Sequence, residues 1–370
     1  MSQKFDIVLK TTINLIEQFQ STISTQTSSA TANNEKDKSL DPLPLLSAAS
    51  TALKSHATKL SLLAITSPFT HSAVATTLST LNESVLPSLV TAALLVTPES
   101  HTQAFQTEIC LISNTALKEM LSLVKEVQLV AEEKADKKEL DQADKDTVTV
   151  AAGRVWDACD VLIDISTKGI IGFLVKRAEE YRDLVRDALE EIEEWDPDEE
   201  GDEYFDELLE DDRKDGAGID KESDDDEEED GNAALHARKK DTLRILKPVA
   251  QIYPAIILNR LKKAPTPLMP SHAKTLESLM GILKLIPDHV DEVAGALYEE
   301  DLEKYTNQLG MAKGCALKAI ESVVLPWGVE QATSEQENPG DKFTTWSKTW
   351  TNVMEEVSKS IDEPANLQSA

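Results

Sequence analysis

Apolar residues recur along this chain at intervals of three and four, and alternation at two is almost absent. Phe5, Leu9, Ile13, Ile16 and Phe19 mark a first amphipathic helix from about Lys4 to Ile23. The Ser/Thr/Asn-rich stretch that follows ends at Asp41-Pro42-Leu43-Pro44, where two prolines oppose helix, so 24–44 reads as a flexible loop. A second helix is expected from about Leu45 to Thr66, and a third from Pro68 to Thr97 that Pro87 should kink.

Thr97 as N-cap and Pro98 as first helical residue open the next element. In it Phe105, Ile109, Ile112, Ala116, Met120, Leu123, Val127 and Val130 step by fours and threes, predicting one helix of about thirty residues. From Thr147 to Trp195 the signal is strongest. Ile171, Leu174, Ala178, Tyr181, Val185, Ala188, Ile192 and Trp195 form a heptad seam with charged residues mainly on the other faces. Packing inside the chain's own bundle is the simpler reading of this coiled-coil-like pattern, and a homodimer zipper the second. Gly169 and Gly172 mark a bend or a close backbone approach just before it.

Helix resumes at about Asn232, with kinks expected at Pro248 and Pro254, and Arg260, Lys262 and Lys263 suit its carboxyl end. Ser271 caps a helix through Leu285, which Pro287 separates from another running from Asp288 to about Val324. A last helix around Thr344 to Ile361 carries Trp346, Trp350, Met354 and Val357; two tryptophans there either dock on the bundle, the preferred reading, or offer a binding face. The fold class is all-α, a multi-helix bundle of long amphipathic helices with a disordered acidic insertion. The expected organisation is an N-terminal bundle over 1–197, the acidic segment 198–231, and a C-terminal helical region over 232–370.

Charge changes this picture at one place. The 370 residues carry a formal charge of −30, but 25 acidic and three basic residues fall between Glu190 and Asp230. The rest is nearly balanced, so partners drawn by charge should meet that segment. Tyr204 and Phe205 are an apolar island among its carboxylates, Asp224, Asp225, Asp226 and Glu227 open its densest run, and Ser223 sits in a context favoured by acid-directed kinases. Such a surface repels phosphate, which disfavours direct nucleic-acid binding. The longest apolar run, Leu89 to Val96, is too short for a membrane span, and the amino end reads as neither signal nor transit peptide.

Cys110, Cys159 and Cys315 are widely separated and form no CxxC pair, which fits reduced structural thiols. The usual nucleotide, hydrolase and zinc motifs are missing from the sequence, and solvated carboxylates lack the dissimilar environments that acid–base catalysis needs. No enzyme activity, metal or cofactor is expected. Arg238-Lys239-Lys240 is a short basic cluster, read as a helix face or a nuclear-import element. The partner-binding candidates are therefore Leu174, Tyr181, Val185 and Trp195 on the seam, Tyr204, Phe205, Asp224, Asp225, Asp226 and Glu227 in the acidic segment, and Trp346 and Trp350 in the last helix.

The order of features also resembles a family. A helical amino half leads to Gly153-Arg154-Val155-Trp156-Asp157-Ala158-Cys159-Asp160, then a long amphipathic helix, Glu194-Trp195-Asp196-Pro197, an acidic segment and a helical carboxyl half. This looks like the cyclin-D-interacting, GCIP-type proteins, and most like their fungal members. The resemblance implies a non-enzymatic regulator of cytoplasm and nucleus. Animal members bind D-type cyclins and are described as helix-loop-helix-like negative regulators of proliferation and transcription, without a DNA-contacting basic region. A protein partner, such as a cyclin or transcriptional regulator, is the expectation. A chaperone of histones or other basic proteins, and a structural adaptor like vinculin or α-catenin, are the alternatives.

Overall fold

A computed structural model describes residues 3–28, 41–134, 140–198, 225–328 and 341–362, and every regular element among them is helical. They fold as two compact units: residues 1–173 with 266–277, and residues 174–265 with 278–370. One division falls inside the longest helix, after residue 173, and another after residue 277, inside the helix Pro270–Tyr298.

In the first unit α1 (Gln3–Ser28) buries Phe5, Leu9, Thr12, Ile16 and Ile23 and packs on the helices His71–Thr80 and Gln103–Leu129. The second helix, α2 (Pro42–Ile65), begins three residues earlier than expected. Asp41 accepts a hydrogen bond from the Leu43 amide at 3.1 Å, and Pro42 stands in the first turn, where a missing N–H costs nothing. The expected third helix is α3 (His71–Thr80), a π-helical turn (Leu81–Val85) and α4 (Leu86–Leu95). That wide turn ends two residues before Pro87, whose ring and missing N–H disturb a regular α ladder there. His71–Leu95 is long and apolar enough to cross a membrane by length and composition. Here it packs against α1 and α2, and Val74, Leu78, Leu86 and Leu89 are fully buried.

The single helix expected after Thr97 is two. A short turn, α5 (Pro98–His101), stops at Thr102, whose φ of 70° no helix accepts, and α6 (Gln103–Leu129) starts anew. The Thr102 hydroxyl accepts from the Phe105 amide at 3.3 Å, and Glu277 accepts from the Gln103 amide at 2.7 Å, so a carboxylate sits on the positive end of α6. A π turn (Val130–Lys134) closes α6.

The long helix α7 (Gln142–Glu194) contains one non-helical residue, Gly169, at φ 64° and ψ −170°. That conformation is essentially restricted to glycine, so the bend read from the sequence has its cause in this one residue.

In the second unit α8 (Asp225–Asn259) starts about seven residues before the expected point. Pro248 and Pro254 both lie inside it, and a 3₁₀ turn (Leu261–Lys263) follows. Pro287 does not separate two helices: α9 (Pro270–Tyr298) runs through it. The break comes instead at Glu300, with φ 58°. The Asp301 amide reaches back to the Ala296 carbonyl at 3.0 Å, a Schellman-type close, and Asp301 then caps α10 (Leu302–Ser322) by accepting from the Lys304 amide at 3.0 Å. The final helix, α11 (Lys342–Asp362), packs on α8, as α10 does.

Candidate protein-interaction surface

The heptad seam turns inward. Leu174 is 1% exposed, and Ala178, Val185 and Ile192 are fully buried in the second unit, while Tyr181 and Trp195 are half-buried. Burial pushes the Tyr181 phenol up. The opposite faces of α7 carry exposed ion pairs, among them Arg177–Glu180 at 3.0 Å and Arg186–Asp183 at 3.3 Å. Each such pair adds little stability and keeps the outer face polar.

The carboxyl end of α7 is closed by residues of α8. Helix ends leave orphan carbonyls; Lys239 Nζ donates to the Glu193 carbonyl at 3.0 Å and to that of Trp195. Lys247 pairs with the Glu193 carboxylate, and His236 Nε2 lies 3.0 Å from Asp198. Lys239, from the basic cluster read as helix face or import element, is thus a capping residue. Asp196, Asp198 and His236 bring three possible ligand atoms within 4.8 Å of one another, all exposed.

At the same end the Trp195 ring meets that of Tyr298 edge-on, with centroids 4.9 Å apart and planes at 61°. Burial and the nearby carboxylates of Glu191 and Asp291 push the Tyr298 phenol up to about 12. Of the acidic candidates, Asp225, Asp226 and Glu227 fall in the first turn of α8, whereas Tyr204, Phe205, Ser223 and Asp224 lie outside the described residues.

The tail helix is docked. Phe343, Ser347, Trp350, Met354 and Ser358 make its buried stripe. Trp350 Nε1 donates to the Pro248 carbonyl at 2.9 Å, and Trp346 is half-buried beside Phe343 and Trp350.

Sequence reasoning missed the residue that fixes this docking. Arg260, read as a cation suited to a helix carboxyl end, is 1% exposed and uses all five guanidinium hydrogens. They go to the Val323 carbonyl at 2.6 Å, the Val324 carbonyl at 2.8 Å, the Asn259 carbonyl at 3.0 Å, and both Asp341 oxygens at 2.7 and 3.1 Å. The guanidinium also lies 4.3 Å from the centroid of the Phe343 ring. Asp341 in turn caps α11 by accepting from the Thr344 amide at 2.9 Å. Arg260 and these hydrogen bonds hold its carboxyl far below the usual carboxylate range. The signal available in sequence was an arginine between an apolar helix and a proline loop, which also describes a solvated cation.

Nucleophilic chemistry finds no support among the thiols. Cys110, Cys159 and Cys315 are buried thiols, and burial, with Asp160 alongside, pushes the Cys159 thiol up to about 12, which suppresses thiolate.

Arg260, Lys239 and Asp341 thus close helix ends within an all-α bundle. Residues 45–198, from the start of α2 to the first residues of the acidic segment, match the family described as Grap2 and cyclin-D-interacting, N-terminal. This stretch of the chain is thus similar to the amino-terminal domain of the GCIP-type family. A search of curated proteins finds no match.

Proposed function

We propose that this chain is a non-enzymatic adaptor that regulates by binding another protein, a cyclin or a transcriptional regulator, in the cytoplasm and nucleus. The family match over 45–198 carries this reading, since that family is named for its interaction with cyclin D. The exposed faces of the helices supply the surface. The test is direct: the purified full-length chain is titrated with D-type cyclin from the same source in a calorimeter. Saturable binding near one-to-one supports the reading; no heat or complex at tens of micromolar overturns the cyclin assignment.

A second reading is favoured by the 25 acidic residues between Glu190 and Asp230: a chaperone of basic proteins. Binding of histones would then weaken steeply between low and physiological salt, because screening removes interactions between exposed charges. Binding that survives 0.5 M salt speaks against it.

A further inference from the structure

The Trp195 end of the second unit combines three features. Two aromatic rings, Trp195 and Tyr298, are both partly exposed and meet at 61°. Carboxylates surround them: Glu191 and Asp291 act on Tyr298 electrostatically, and Asp196 follows Trp195 directly, exposed. Three nearby cations are already engaged, Lys239 with backbone carbonyls, Lys247 with Glu193 and His236 with Asp198. The carboxyl end of α7 adds the negative pole of its dipole to the same place.

We propose that this corner is a docking site for an arginine side chain carried by a basic segment of a partner protein. A guanidinium over an aromatic face is attracted by the ring quadrupole, and its planar fork suits an adjacent carboxylate. Charge complementarity selects the occupant: the ring pair favours a flat, weakly hydrated cation, and the carboxylates disfavour an acidic or phosphorylated peptide. The proposal deepens the adaptor reading and rests on it, by naming the chemistry of the partner at one place.

The probe is a short unstructured peptide with four arginines separated by glycine and serine, titrated calorimetrically into the full-length chain at 0.15 M salt. Its lysine counterpart is the comparison. The variants are Trp195→Leu, Asp196→Asn and Glu191→Gln; Glu355→Gln, exposed on α11, controls for loss of one charge. Circular dichroism checks that each variant keeps its helix content. The expected result is about tenfold weaker arginine-peptide binding in Trp195→Leu, with less effect on the lysine peptide. Asp196→Asn and Glu191→Gln should each weaken binding more than Glu355→Gln. Equal effects of all four variants, or arginine and lysine peptides bound alike, would mean that diffuse charge does the binding and would overturn the site. Absence of any peptide binding would overturn it too. In either case the cyclin titration decides the adaptor reading separately.

Discussion

The Tyr253 hydroxyl donates to the carbonyl oxygen of Leu283 at 2.9 Å, and Leu283 stands four residues before Pro287. In an unbroken α-helix that carbonyl would accept from the amide of residue 287, which proline lacks. Tyr253 is fully buried, and burial drives its phenol far above the ordinary range, so the hydroxyl remains protonated and able to donate. A helix expected to end at Pro287 continues because another helix supplies the missing donor.

Tyr253→Phe should therefore cost about 1.5 kcal/mol, the penalty of a buried carbonyl left without a partner. In a Pro287→Ala background the alanine amide supplies the bond internally, and the same substitution should cost about 1 kcal/mol less. Urea unfolding of the four proteins measures the coupling. Additive effects would show that the tyrosine hydroxyl does not compensate for the proline.

Arg260→Met should destabilise by about 3 kcal/mol, because it strands the Val323 carbonyl, leaves the Val324 carbonyl with the Thr344 hydroxyl alone and removes the cation facing Asp341. Arg260→Lys should recover less than half of this. One ammonium cannot reproduce five directed donors to three carbonyls and a bidentate carboxylate. Thermal unfolding followed at 222 nm reports both, and tryptophan fluorescence should shift red with them as Trp350 loses its seat against Pro248.

The same pair sets a pH dependence. Asp341 titrates far lower in the folded chain than the ordinary carboxylate near 3.9, so its contribution is present above that value and lost as pH falls through the folded pKa. Between pH 5 and the acid limit, wild type should lose stability more steeply than Asp341→Asn, and the gap between their melting temperatures should narrow. Parallel curves would contradict the assignment.

Helices were legible in the sequence wherever period alone decides. Most of the seam from Leu174 to Ile192 and of the stripe from Phe105 to Val127 is buried as the spacing implies, with Ile112, Tyr181 and Ala188 half-buried. Junctions were less so, because each depends on a partner distant along the chain or on one backbone angle. Pro42 reads as a helix breaker until Asp41 is seen capping the turn, and Pro287 until Tyr253 is placed beside Leu283. Thr102 carries no mark of its φ of 70°. Trp350 announced itself as a dockable tryptophan, but its acceptor, the Pro248 carbonyl, lies 102 residues away. Arg260 was illegible for the same reason: its acceptors sit up to 81 residues further on, at the end of one helix and the start of another.

Two glycines in α7 should respond to alanine with opposite signs. Gly153 is helical, and a methyl group there would meet nothing within 4 Å. Gly153→Ala should stabilise by about 0.5–1 kcal/mol, through helix propensity and a less flexible unfolded chain. At Gly169 space is not the obstacle, since a Cβ would lie 3.7 Å from Leu43 Cδ1, an ordinary contact. The obstacle is φ 64° with ψ −170°, where an L-residue is strained by roughly 1–3 kcal/mol. Gly169→Ala should destabilise by that amount, or straighten α7 and disturb the packing of α2 around Leu43. Urea unfolding gives the two signs, and amide exchange of residues 165–172 distinguishes strain from straightening. An unchanged midpoint for Gly169→Ala would mean that the bend is not held at this residue.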